Sequence, residues 1–225
     1  LTTFFEHANA YYKAPAAGEM NLRYEAMKGV FSGSKNLYLH ADYVKDIMLA
    51  VNFAKKFGVK KLIVVGGKDS YKITPFLKEN HVAVMVNRLH DLPDLPEADT
   101  DIYYKLPYLL QKDSVMFCLQ NQGDMEAMNA RNLPYLAGTA AAYGLTQEQA
   151  LQSITLNTAK ILGVDSLIGS LESGKLASMV ISTGDVLDIR TSHIVMAFIN
   201  GRPINVTNFQ NELYKKYANK YGVKP

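Results

Sequence analysis

The chain has 225 residues, of which 48% are hydrophobic, so it can bury the core of one large domain or of two small ones. Its formal net charge is only +3, with basic and acidic residues interleaved, which argues against nucleic acid and anionic membranes as partners. No apolar run approaches the roughly 20 residues that cross a bilayer and no signal peptide opens the chain, so we expect a soluble protein whose compartment stays open. The sequence begins at Leu1 without an initiator methionine, and we expect it to be a processed or truncated piece.

Helical and strand patterns alternate through the first 120 residues. Two helices are predicted at about 3–12 and 19–31, and a strand, NLYLHA, then begins the alternation. Asp42 is expected to cap the helix that follows. The later elements are strand KLIVVGG, helix SYKITPFLKENH, strand VAVMV, helix YKLPYLLQKD and strand VMFCLQ. Aliphatic strands separated by helices are typical of a parallel sheet covered on both faces, in either a doubly wound fold or half of a (β/α)₈ barrel.

The sole cysteine, Cys118, lies inside the apolar run VMFCL. A single cysteine excludes an internal disulfide, and its apolar neighbours favour a small core residue over a nucleophile.

The region 131–188 carries the most specific pattern in the chain. It contains TQEQALQSITLNTAKILG, which resembles the last barrel-side helix of imidazolonepropionase-like amidohydrolases. It also contains IGSLESGKLASMVI, which resembles the strand pair by which the chains of that family re-enter a small β-sandwich. One departure is Ser178 in GKLASMV, where the family has aspartate. The resemblance extends more weakly back to about Lys35.

The resemblance implies an α/β fold class. Residues 1–165 would form the second half of a TIM-like (β/α)₈ amidohydrolase barrel, and residues 166–225 a small β-rich C-terminal element with a terminal helix. It also implies hydrolysis of a C–N bond in a small-molecule substrate, assisted by a divalent metal such as zinc. In that family the β element pairs with strands from the start of the chain, so we expect a missing N-terminal half or a partner chain to cover the strand edges. The terminal helix is a candidate contact in a homo-oligomer.

Candidate site residues follow the predicted strands, because reactive groups gather at the carboxyl edge of a parallel sheet. They are His40 after the first strand, Gly66 and Gly67 after the second, Arg88 and His90 after the third, and Gln122 and Asp124 after the fourth.

The resemblance implies that His40 binds metal, whereas residue type alone favours a histidine bonded to a neighbouring backbone group. The next strand should supply a second histidine but offers Gly66 and Gly67. The catalytic aspartate of the last strand falls near Gln122, and glutamine cannot act as a general base. Asp124 can compensate only if its loop bends back, and it is otherwise a loop residue or a helix cap. The implied metal site is therefore expected to be degenerate.

Substrate-binding roles are open at several of the other positions. The Gly66-Gly67 pair suits a small anion, although no complete phosphate-binding motif surrounds it. His90 is either a replacement ligand or part of a proline-braced acidic loop. Arg131 and Asn132 either bind a carboxylate or pin the loop that enters the next helix.

Two functions follow from these features. The first is the C-terminal portion of an amidohydrolase-like hydrolase acting on non-peptide C–N bonds, inactive by itself. The alternative is a non-catalytic amidohydrolase-fold subunit for binding or assembly, favoured by Gly66, Gly67 and Gln122. A flavodoxin-like nucleotide-binding module rests on the strand-helix rhythm only.

Overall fold

The structure is a computed structural model that describes residues 1–14, 19–123 and 126–223. The helices in these ranges are α1 (Thr2–Lys13), α2 (Leu22–Ser32), α3 (Val44–Lys56), α4 (Thr74–Glu79), α5 (Ile102–Lys112), α6 (Glu126–Asn129), α7 (Leu133–Ala142), α8 (Gln147–Ile154), α9 (Leu156–Leu162) and α10 (Phe209–Tyr221). The strands are β1 (Leu37–Ala41), β2 (Leu62–Gly66), β3 (Ala83–Val86), β4 (Phe117–Leu119), β5 (Met179–Ser182), β6 (Ile194–Ile199) and β7 (Arg202–Ile204). Turns of 3₁₀ helix at Ser70–Ile73 and Ala130–Asn132 precede α4 and α7.

A parallel sheet of order β1-β2-β3-β4 forms the centre of the molecule, which confirms the α/β class that the sequence predicts. Its register pairs Ala41 with Gly66, Gly66 with Val86, and Val86 with Leu119. The strands therefore end level with one another. Side chains that follow them share one edge of the sheet.

The two faces of this sheet pack against different partners. Val64, Val84 and Phe117 belong to the main core, which helices α3, α5, α7 and α8 also build. On the opposite face, Cys118 and Ile63 pack with Ile161 of α9. Cys118 is buried, as its apolar run predicts, and burial raises the pKa of its thiol to about 11.

Helix α3 shows how local pattern and packing agree and differ. Ile47, Val51 and Ala54 are buried at the helical spacing, whereas Leu49 is 58% exposed. The prediction that Asp42 caps this helix is wrong, because Tyr43 is the N-cap and makes no side-chain capping bond. Instead, Asp42 Oδ1 accepts a hydrogen bond from the backbone N–H of Lys68, at 3.4 Å, in the turn after β2.

The C-terminal part forms an antiparallel sheet of order β5-β6-β7. The strand pair that IGSLESGKLASMVI predicts is only half present, since the strand begins at Met179 and the preceding residues form turns. A backbone hydrogen bond of 2.8 Å from Leu176 N to Leu167 O closes these turns in place of a ladder. The predicted domain boundary at 165/166 stays a prediction.

No helix in the described part of the chain is long and apolar enough to cross a membrane.

Candidate functional site

The shared edge of the parallel sheet brings the predicted site residues of β1 and β4 together. His40 lies one residue before the end of β1, on the same face as Val65, with which it is paired in register. Its Nδ1 lies 2.8 Å from Gln122 Nε2, in the loop after β4, and accepts a hydrogen bond from that amide. A second hydrogen bond of 3.5 Å runs from Gln120 Nε2 to Gln122 Oε1. His40 Nδ1 and the side-chain amide of Gln122 are thus hydrogen-bond partners of each other.

The predicted Gly66 and Gly67 shape the turn after β2. Their φ angles of 105° and 70° lie in the region that favours glycine. A Cβ built on Gly66 would lie 2.5 Å from Asp42 Oδ1, so a side chain at this position would also displace the Asp42 carboxylate. The Gly67 N–H donates to Ala41 O at 2.9 Å. This N–H therefore serves the turn and does not point to a ligand.

Lys68, which sequence reasoning missed, ties together the loops after β1, β2 and β3. Its Nζ lies 3.1 Å from Asp91 Oδ2 and 3.3 Å from Asp94 Oδ1. Asp94 also accepts hydrogen bonds from the hydroxyls of Tyr43, at 3.0 Å, and Tyr103, at 3.3 Å. Burial opposes the ammonium charge, but the hydrogen bonds that Lys68 donates to Asp91 and Asp94 outweigh it and raise the pKa of Lys68 to about 12. The available signal was a lysine after a strand end combined with the acidic loop HDLPDLPEAD.

His90 lies on the same loop but faces the other way, towards α5 and α7. Its Nε2 is 2.8 Å from Thr139 Oγ1, and its ring stacks on Tyr104 with centroids 5.5 Å apart. The contacts of Lys68 with Asp91 and Asp94 fit the interpretation of this segment as a braced loop. His90 lies on the loop but contacts Thr139 and Tyr104 instead.

An open cleft of about 380 Å³ lies between the loops after β3 and β4 and the start of α7. Its walls include Arg88, His90, Asn121, Asn132, Tyr135 and Ile189. Three predicted substrate-binding residues, Arg88, His90 and Asn132, meet here, whereas Arg131 is exposed and is not among the described residues that line the cleft. The predicted Asp124 lies outside the described residues.

A second lobe of about 690 Å³ continues this cleft along α7, and His90, Tyr135 and Ile189 line both lobes. Leu187 is buried in the main core, so the segment 185–190 is anchored beside α7 and forms the far wall. Sequence reasoning placed no site residue in this segment, because it precedes β6 and belongs to no strand end.

The amidohydrolase family model matches residues 35–208, which is most of the chain. The chain belongs to the amidohydrolase family. The family resemblance inferred from the region 131–188 is thereby confirmed.

Among individual relatives, an imidazolonepropionase from Erwinia tasmaniensis is 38% identical over 77 residues, which cover 34% of this chain and 17% of that protein. An amidohydrolase from Thermotoga maritima superposes with a TM-score of 0.78 at 27% identity, over 91% of this chain and 54% of that chain. An adenosine deaminase from Xanthomonas campestris with bound zinc superposes with a TM-score of 0.53 at 16% identity, over 96% of this chain and 54% of that chain. The chain therefore spans about half the length of these solved amidohydrolase-fold structures.

Zinc in such a fold needs imidazole, thiolate or carboxylate ligands. Within residues 1–14, 19–123 and 126–223, no three His, Cys, Asp or Glu side chains come together as a metal site. At the strand ends His40 is bonded to a neutral amide, and glycine occupies the end of β2. Among the described residues, the ends of β1 and β2 thus offer one imidazole, that of His40.

Proposed function

We propose that this chain is the C-terminal portion of an amidohydrolase related to hydrolases of non-peptide C–N bonds. Its parallel sheet would be the second half of a (β/α)₈ barrel. In this portion the carboxyl edge of the parallel sheet binds a small molecule and does not supply a hydrolytic metal site. The family match, the similarity to imidazolonepropionase and the superposition on half of the Thermotoga amidohydrolase support the ancestry.

The hydrogen bond between His40 and Gln122 carries the second half of the proposal. A glutamine amide is neutral, so it can neither accept the proton of an attacking water nor contribute charge to a metal site. It donates to His40 Nδ1 and so occupies one of the two nitrogens through which this imidazole would bind. The neighbouring β2 end offers Gly66 and no ligand side chain.

A second candidate is a working hydrolase with a rebuilt site. One observation favours it: His40 is exposed and stands at the strand end where the resemblance places a metal ligand. A carboxylate in place of the Gln122 amide would give this imidazole an anionic neighbour.

Metal content separates the two candidates. We expect the full-length protein, purified without chelator, to hold much less than one transition-metal ion per chain by elemental analysis. Gln122→Asp should raise its zinc affinity, because a carboxylate then lies beside His40, and adding His40→Ala should remove that gain. Gln210→Asp, on exposed α10, is the matched control and should change nothing.

Stoichiometric metal in the unaltered protein that is lost in His40→Ala would overturn the proposal. The second candidate would then stand, and the metal-loaded protein should be assayed against cyclic amides for C–N hydrolysis.

A further inference from the structure

The cleft beside α7 presents hydrogen-bonding groups that the fold leaves unused. Asn129 and Asn132 occupy the N-cap positions of the 3₁₀ turn and of α7, where asparagine normally accepts a bond from the helix backbone. Neither side chain makes that bond in this structure, and both line the cleft. Their amide groups are therefore available to a ligand.

Tyr135 adds a third donor one turn further along. Its ring lines both lobes of the cleft, and its hydroxyl has no hydrogen-bond partner among the described residues. By contrast, Asn121 already donates to Asn129 O at 3.1 Å, and His90 is bonded to Thr139. The available donors thus come from Asn129, Asn132 and Tyr135.

The two lobes differ in their acidic residues. Asp185 and Asp188 line the larger lobe, where Arg190 pairs with Asp188 at 3.0 Å. The described residues that line the smaller lobe include no carboxylate. Apolar side chains are supplied by Leu136 in the smaller lobe and by Ile189, which both lobes share.

We propose that the smaller lobe binds the carboxylate of a small molecule whose short apolar group rests on Leu136 and Ile189. Amide and phenol donors bond an anion more strongly than a neutral acceptor, because charge-assisted hydrogen bonds are about twice as strong. Asp185 repels the carboxylate from the larger lobe and fixes the orientation. The volume of about 380 Å³ is within the range of small-molecule sites. This inference rests on the proposed ligand-binding function and names the class of its ligand.

The test uses the full-length protein and a matched pair of probes, N-acetyl-leucine and N-acetyl-leucinamide, which differ only in the carboxylate. Calorimetric titration should show the acid binding at least about tenfold more tightly than the amide. Asn132→Asp should abolish this preference by charge repulsion. Tyr135→Phe should weaken the acid several-fold and leave the amide nearly unchanged. Asn21→Asp makes the same chemical change at the N-cap of α2 and should have no effect.

Equal affinity for acid and amide, or an acid preference that survives Asn132→Asp, would overturn the carboxylate assignment. Binding of neither probe would overturn it as well. A different result would overturn the proposed function. That result is stoichiometric metal that depends on His40, and elemental analysis measures it in the absence of either probe.

Discussion

Lys68 is the residue on which the loops at the carboxyl edge of the sheet converge. Its side chain is 27% exposed, and its ammonium group contacts Asp91 and Asp94 and lies 5.1 Å from the centroid of the Tyr103 ring. Hydrogen bonds from Tyr43 and then from Lys68 keep the pKa of Asp94 below its ordinary value. These contacts hold the proline-rich loop across the ends of β1 and β2.

The lowered pKa of Asp94 makes stability depend on pH. In the unfolded chain an aspartate carboxyl has a pKa of about 3.9, so the ionised Asp94 stabilises the fold above that pH. This contribution is lost as the pH falls through the lowered pKa of the folded state. We therefore expect the melting temperature of the wild type to fall more steeply than that of Asp94→Asn between pH 5 and pH 3.

Thermal denaturation monitored by circular dichroism measures this difference. Asp165→Asn is the control, because Asp165 makes no ion pair among the described residues, and it should keep the wild-type slope. Parallel slopes for the wild type and Asp94→Asn would show that the Lys68 contacts contribute nothing to stability. Since Asp94 is 37% exposed, the effect should be modest and should shrink in high salt.

At the scale of elements, α7 and the segment 185–190 approach each other closely at Gly138. A Cβ at this position would lie nearer than 3.0 Å to the backbone oxygen of Leu187, which is closer than Cβ atoms approach other heavy atoms in proteins. Leu187 is buried in the main core, so its backbone cannot move away freely. The glycine therefore sets the distance between the two walls of the larger lobe.

Gly138→Ala should destabilise the fold by about 1–3 kcal/mol, the usual cost of forcing an extra methyl group into a packed site. Urea denaturation gives the free energy of unfolding. Gly29→Ala is the matched control, since Gly29 also lies within a helix but its added Cβ would meet side-chain atoms of Lys35 and Ser34 and not a backbone atom. Those side chains can shift and alanine favours the helix, so the control should destabilise the fold less than Gly138→Ala. Equal free energies of unfolding for the two variants would contradict the assigned role of Gly138.

The break between α8 and α9 is also decided at this scale. The pattern TQEQALQSITLNTAKILG predicts one helix, whereas the structure has two, separated at Thr155 with φ of −127° and ψ of −90°. Thr146 and Gln149 form a capping box that starts α8, as the sequence TQEQ allows. Ala150 of α8 packs in the main core and Ile161 of α9 packs on the opposite face of the sheet. A straight helix cannot reach both faces, so the chain turns at Thr155.

At the scale of the whole molecule, the C-terminal sheet exposes an aliphatic face. Val180 pairs with Ala197 and Ala197 with Ile204, so these residues share a face with Ile199. Val180 is 57% exposed, Ile199 55% and Ile204 44%. We propose that another polypeptide covers this contiguous apolar surface.

The 225-residue chain by itself should therefore bind the dye ANS and self-associate, and the double variant Val180→Thr with Ile199→Thr should reduce both. Threonine keeps the β-branched shape that suits a strand, so the sheet itself is retained. Fluorescence titration and light scattering measure the two effects. Leu49→Thr, at a separate exposed leucine on α3, is the control and should change neither. Unchanged ANS binding in the double variant would show that this face does not attract apolar partners.

The sequence predicts the fold better than it predicts the site. The aliphatic strands β1 to β4 and the helices between them were identified from local pattern, because two buried sheet faces require unbroken apolar strands. Two predictions were wrong, the helix cap at Asp42 and the first strand at IGSLESG, because both features depend on partners distant in sequence. His40 and Gln122 were both assigned to the carboxyl edge of the sheet, and the 2.8 Å bond between them joins residues 82 apart in sequence.

The sequence by itself determined the family, the parallel sheet and the edge of that sheet where polar residues gather, because these follow from periodicity and from short motifs. Only the tertiary structure decided that Lys68 holds the loop after β3, that Gly138 admits the backbone of Leu187, and that Asn129, Asn132 and Tyr135 share one cleft. Each of these depends on contacts between segments far apart in the chain, whose distance and direction no local pattern specifies.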